Sequence, residues 1–164
     1  STPTHVAKLF IHLDRILAGT NKTASKTNVA RVLHEVAEKI HKRSLVVIFS
    51  DMFDGDHTEE LFKALQHLKH NKHEVIVFHV TDTETELLLN FDDRPHEFVD
   101  METGDRLRLN PADVREVYKK ESDQFYKALK MRCNQYKIDF VEADVRQDVN
   151  MILQTYLIKR SKMR

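Results

Sequence analysis

The chain has 164 residues, 41% of them hydrophobic, and its 26 Lys and Arg balance 26 Asp and Glu. That length and apolar content suit one hydrophobic core, and zero formal charge offers no basic surplus for nucleic acid or an anionic membrane surface. A single cysteine, Cys133, excludes an internal disulfide framework and any multi-cysteine metal site, and three glycines are too few for a glycine-rich phosphate cradle. The longest apolar run is only a strand's length and Ser1 to Lys8 is polar, so the expectation is a soluble chain of a reducing cytoplasm, without membrane insertion.

The first element reads as a helix. Val6, Leu9, Phe10, Leu13, Ile16 and Leu17 fall at helical spacing, Thr4 is a candidate N-cap and Gly19 a candidate stop. A polar linker, TNKTASK, leads to a second helix with the stripe Val29, Leu33, Val36 and Ile40 behind the cap candidate Thr27. Leu45 to Phe49 is too short for a helix, rich in β-branched residues and apolar at every position, which predicts a strand buried on both faces, as in parallel sheets. Asp56 and Glu59 have capping-box spacing ahead of a helix carrying Leu61, Phe62, Leu65 and Leu68, and EVIVFHV, residues 74–80, is the next strand. Together these form a βαβ unit, whose crossover is expected to be right-handed.

Residues 87–109 break the alternation, with short extended pieces around Pro95 and Gly104, and read as an insertion. Asn110-Pro111 then opens a long helix marked by Val114, Tyr118, Phe125, Leu129 and Cys133. A third strand near 138–142 and a final helix from Asp148 to Ile158 complete the pattern. The predicted class is α/β, with parallel strands near 45–49, 74–80 and 138–142.

In an open parallel sheet, ligands bind beyond the carboxyl ends of the strands, where loops converge. Asp51 sits at such an end, in a loop with Ser50, Asp54 and Asp56, and Thr27 opens the helix that runs into the same strand. Hard oxygen ligands of this kind suit magnesium or calcium. A plainer reading assigns Thr27 and Asp56 to caps and Asp54 to a turn with Gly55. His67, His70 and His73 suggest zinc or, more simply, a polar helix end; Cys133, on an apolar stripe, reads as a small core residue.

Four stretches, RSLVVIFSDMFDG, VIVFHVTDTETELLLNF, FVDMETGDRLRLNPADVREVY and CNQYKIDFVEADVRQDVNMILQTYLIKR, resemble the von Willebrand factor A-like proteins of the domain-of-unknown-function-58 family, often encoded beside MoxR-type AAA ATPases. The resemblance covers nearly the whole chain. It implies a single Rossmann-like three-layer A domain over residues 1–164 with a metal-ion-dependent adhesion site, in which Thr27 and Asp51 match the threonine and aspartate ligands. It also implies a non-enzymatic module that binds a protein partner, a MoxR-type ATPase acting in protein assembly or maturation, with the metal bridging to an acidic group of that partner. The Asp-x-Ser-x-Ser loop of such sites is not found in these residues. The resemblance therefore implies a carboxy-terminal fragment lacking the first strand, with magnesium or another divalent cation held by the intact protein rather than by the fragment, and a strand edge at 45–49 open to self-association.

One enzyme class competes with this reading, because FDGDHT is similar to the nucleophile loop of haloacid dehalogenase-type phosphatases. Asp54 would be nucleophile, Asp56 general acid/base, and Asp92 and Asp93 would hold magnesium. Four residues separate Phe49 from Asp54, however, whereas such a nucleophile belongs at the strand tip.

Overall fold

A computed structural model describes residues 2–18, 28–52, 58–100 and 104–162. They fall into two units, one holding the amino-terminal helix with Asp100, Gly104 and Asp105, the other holding the described residues from Asn28 to Val99 and from Arg106 onward.

In the smaller unit, α1 spans Pro3–Leu17. Its cap is Thr2 rather than Thr4, because Pro3 takes the first helical position, where its fixed φ and missing N–H cost nothing. No residue of α1 is buried, and Val6, Leu9, Phe10, Leu13, Ile16 and Leu17 are all exposed.

In the larger unit, the described elements are α2 (Val29–Lys39), β1 (Leu45–Ser50), α3 (Thr58–His70), β2 (Glu74–Thr81), β3 (His96–Val99), β4 (Arg106–Leu109), α4 (Pro111–Gln135), β5 (Asp139–Asp144) and α5 (Val149–Ser161). Strands β1, β2 and β5 form a parallel sheet in that order, and β3 pairs antiparallel with β4. This is the mixed α/β architecture expected, compatible with a Rossmann-like sandwich. A short π-helical turn, Thr83–Leu87, and the β3–β4 hairpin occupy the stretch that breaks the alternation.

Helix boundaries follow local chemistry. Asn28 caps α2, its side chain accepting from Arg31 N at 2.7 Å, one residue beyond the Thr27 cap expected from sequence. Asn110 Oδ1 accepts from Ala112 N at 3.3 Å with Pro111 in the first turn of α4, and Asp148 Oδ1 accepts from Asn150 N at 2.8 Å. Both α3 and α4 end in a left-handed lysine, Lys72 (φ 62) and Lys137 (φ 55). The next residue, His73 or Ile138, donates its N–H back to Leu68 O or Cys133 O and leads straight into a strand.

Two apolar layers hold the sheet. On one face Ile48, Val75 and Val77 pack with Ala30, Leu33 and Ala37 of α2, Leu61, Leu65 and Leu68 of α3, and Leu129 and Cys133 of α4. On the other, Ile76 and Phe78 pack with Tyr156 of α5, and Ile152 borders them. Burial on both faces holds for β2, whose residues from Val75 to His79 are all buried. It does not hold for β1, where Leu45, Val47 and Phe49 are exposed, Phe49 to 65%. Among the described residues β1 pairs with β2 alone and is a sheet edge, and α5 covers β2 and β5 rather than β1. An unbroken apolar run therefore marks an apolar strand, not the number of layers that cover it.

Candidate functional site

The carboxyl ends of the three parallel strands carry Ser50-Asp51, His79-Val80-Thr81 and Glu142-Ala143-Asp144. Asp51 leaves β1 on the solvent side. Directly after it the chain turns through a left-handed Met52 (φ 56), whose side chain is fully buried. Ser50 closes this turn: its Oγ accepts from Met52 N at 2.9 Å and donates to Asp51 Oδ1 at 3.4 Å. A polar residue is thus displayed and an apolar one anchored by adjacent positions.

His79 is the deepest polar group of the site, 3% exposed and wedged between the Tyr126 ring, edge-on at 5.2 Å, and the Phe140 ring, stacked at 5.5 Å. Burial holds its pKa below the ordinary value. A hydrogen bond with the Asp51 main chain and the carboxylates of Asp51, Glu142 and Glu86 oppose that shift without overcoming it. Its Nδ1 is buried and has no hydrogen-bond partner among the described residues. Glu142, its neighbour across the register, is held below the usual carboxylate range by Lys130, whose Nζ donates at 2.5 Å, and by Tyr126. Burial, then the Glu142 contact, pushes the Tyr126 phenol up.

The π-helical turn forms the far wall. Asp82 Oδ1 accepts from Glu84 N at 3.1 Å and Thr85 N at 3.4 Å, so Asp82 makes the turn. Arg146 pairs with Asp82 at 2.9 Å and lowers its pKa. The Tyr118 hydroxyl donates to Glu86 O at 2.6 Å, tying α4 to the turn. Arg115 extends the tie by donating to Leu89 O at 3.2 Å, Phe91 O at 2.9 Å and Asp93 Oδ1 at 3.1 Å.

Of the residues singled out from sequence, Asp51 lies at the strand end as expected; Thr27, Asp54 and Asp56 lie outside the described residues. Asp92 and Asp93 are paired with Arg94 and Arg115. His67, His70 and His73 diverge. His67 meets His34 at 3.0 Å and Glu38 at 3.1 Å, His70 is exposed, and His73 Nδ1 accepts from Ser44 N at 3.2 Å. Cys133 is fully buried, and burial pushes its thiol up to about 12.

For a divalent cation, Ser50 and Asp51 supply hard oxygens of the right kind. Among the described residues, however, no three His, Cys, Asp or Glu side chains gather to hold one, so these residues alone do not complete a metal site. What sequence reasoning did not bring together is His79 and Glu86, which line one cavity. The signal was a histidine inside an otherwise apolar strand, but its acidic neighbours come from segments distant in sequence.

A parallel-sheet α/β domain with Asp51 displayed at the carboxyl edge is the class that fold and site define. The family model described as "Protein of unknown function DUF58" matches residues 2–127, well over half of the chain, and the chain belongs to that family. No curated protein and no solved structure matches it. No helix among the described residues is long and apolar enough to cross a membrane.

Proposed function

We propose that this chain is a von Willebrand A-like, non-enzymatic protein-interaction module that acts in the cytoplasm. Its docking point is the carboxyl end of β1, and its partner is a MoxR-type AAA ATPase engaged in assembling or maturing other proteins. Magnesium or another divalent cation belongs to this reading, with Asp51 and Thr27 among its ligands and the remainder supplied from beyond the described residues.

The observation that carries the proposal is the display of Asp51. A carboxylate held outward at the end of a parallel strand, on a turn fixed by Ser50 and by buried Met52, occupies the position where open α/β sheets meet their ligands. Membership of the DUF58 family adds support, since the resemblance to A domains runs through the same family.

The test is binding of the MoxR-type ATPase from the same genome, measured by calorimetry with magnesium present. Asp51→Asn is expected to weaken binding tenfold or more while the melting temperature stays unchanged. Equal affinity for wild type and variant rejects Asp51 as the docking point.

A further inference from the structure

Beside Asp51, and reaching well past it, lies a cavity of about 460 Å³ between the carboxyl end of β2, the π-helical turn and α4. Among the described residues its walls carry three carboxylates, Asp51, Glu86 and Glu121, and no lysine or arginine. Three aromatic side chains, Tyr118, Phe125 and Tyr126, also line it. His79 forms part of the same wall, with its Nδ1 buried and lacking a hydrogen-bond partner among the described residues.

Each feature narrows the ligand. Carboxylates gathered around one cavity repel one another and favour a positive guest, and aromatic faces attract an organic cation through their quadrupoles. A buried nitrogen without a partner is costly, and with the proton on the other ring nitrogen it is an acceptor waiting for an N–H donor. The volume lies within the range of small-molecule sites and far exceeds a bare ion. A metal lacks a converging ligand set among the described residues.

We propose that this cavity binds an organic cation, an alkylammonium or alkylguanidinium, whose charge is met by Asp51, Glu86 and Glu121 and whose N–H group is taken by His79. The Tyr118 hydroxyl, by holding the main chain at Glu86, positions the wall that carries one of these carboxylates. The site shares Asp51 with the metal reading, whereas Glu86, Glu121 and His79 take no part in that one.

The experiment is an NMR titration of the 164-residue chain with n-butylguanidinium and with its neutral isostere n-butylurea, in EDTA. Saturable shifts at Ser122, Tyr126 and Thr81 are expected for the cation, with at least tenfold weaker binding of the urea. Glu86→Gln and Glu121→Gln should each weaken the cation by roughly threefold to tenfold. His79→Phe keeps a ring between Tyr126 and Phe140 and should weaken it as well. Agmatine and the peptide N-acetyl-Gly-Arg-Gly-amide then separate a free metabolite from a basic side chain of a protein: tighter binding of either supports the site and assigns the source. Equal binding of butylurea, unchanged affinity in the Glu86→Gln/Glu121→Gln double variant, or no saturable shift with any cation overturns the proposal. Because EDTA is present throughout, loss of the metal-dependent reading leaves this result untouched.

Discussion

Replacing Arg115 by methionine separates local from global stability in the wall of the site. The aliphatic packing is kept, while the guanidinium that bonds Leu89 O, Phe91 O and Asp93 is lost. Asp93 is 70% exposed, so that ion pair contributes about 0–1 kcal/mol. Leu89 O keeps a second donor, Phe91 N at 3.0 Å, which leaves Phe91 O with the larger loss. Hydrogen bonds to charged donors contribute about 1.5–3 kcal/mol, and partial solvent access reduces their sum here to roughly 2–3 kcal/mol. The segment they hold is closed further by Leu88 N donating to Thr83 O at 2.9 Å and Asn90 N donating to Glu84 O at 2.8 Å. At about 1.4 kcal/mol per tenfold, amide exchange at Leu88 and Asn90 should accelerate roughly 30- to 150-fold in Arg115→Met. Hydrogen exchange followed by NMR reads this directly, with Val77 in β2 as the internal reference. Acceleration of Val77 by the same factor, or none at Leu88, refutes the idea that Arg115 fixes this wall locally.

Acidification should lower the stability of the protein in two stages. His79 has a folded pKa below its ordinary 6.5 because of burial, so its stabilisation is complete above pH 6.5 and is lost as pH falls from there toward the depressed value. Glu142, lowered first by Lys130 and then by Tyr126, acts below its ordinary 4.5, its stabilisation being lost as pH falls through the folded value. Thermal melts across pH should lose the first stage in His79→Phe and show a smaller second stage in Lys130→Met; an unchanged profile in both variants contradicts these assignments. Cys133 should resist iodoacetamide at pH 8 and react only at the rate of global unfolding; fast labelling of the native protein would show that the thiol is reachable. Leu65→Ala should cost about 2–5 kcal/mol in urea unfolding, whereas Val47→Ala on the exposed face of β1 should stay within about 0.5 kcal/mol. A large Val47 effect would mean that this face is covered in solution.

Patterns contained within one element were legible in the sequence. The strands near 45, 74 and 138, the Asn110-Pro111 helix start and the buried Cys133 each follow from spacing or from adjacent residues. Asp51 was legible too, because a carboxylate directly after an apolar strand needs no partner to declare its place. Burial of a whole strand was not legible, since Leu45, Val47 and Phe49 are as apolar as Val75 and Val77 and differ only in what packs on them. The cation cavity was hidden for the same reason. Glu86 reads as one acid in TDTETE and Glu121 as one charge on a solvated helix, and the register of β2 against its neighbours, together with the seat of α4, brings both near His79.

Met52 sets a condition on whatever engages Asp51. Its side chain is fully buried and its main chain already holds a left-handed conformation, which costs a non-glycine residue on the order of 1–2 kcal/mol. A ligand that needed the 50–52 turn to rearrange would have to withdraw that side chain from the core. The carboxylate is therefore presented in advance, with the conformational entropy of its backbone already spent during folding. Recognition at this point should proceed by direct encounter, with an association rate that tracks ligand concentration without levelling off and with little ordering of residues 50–52 on binding.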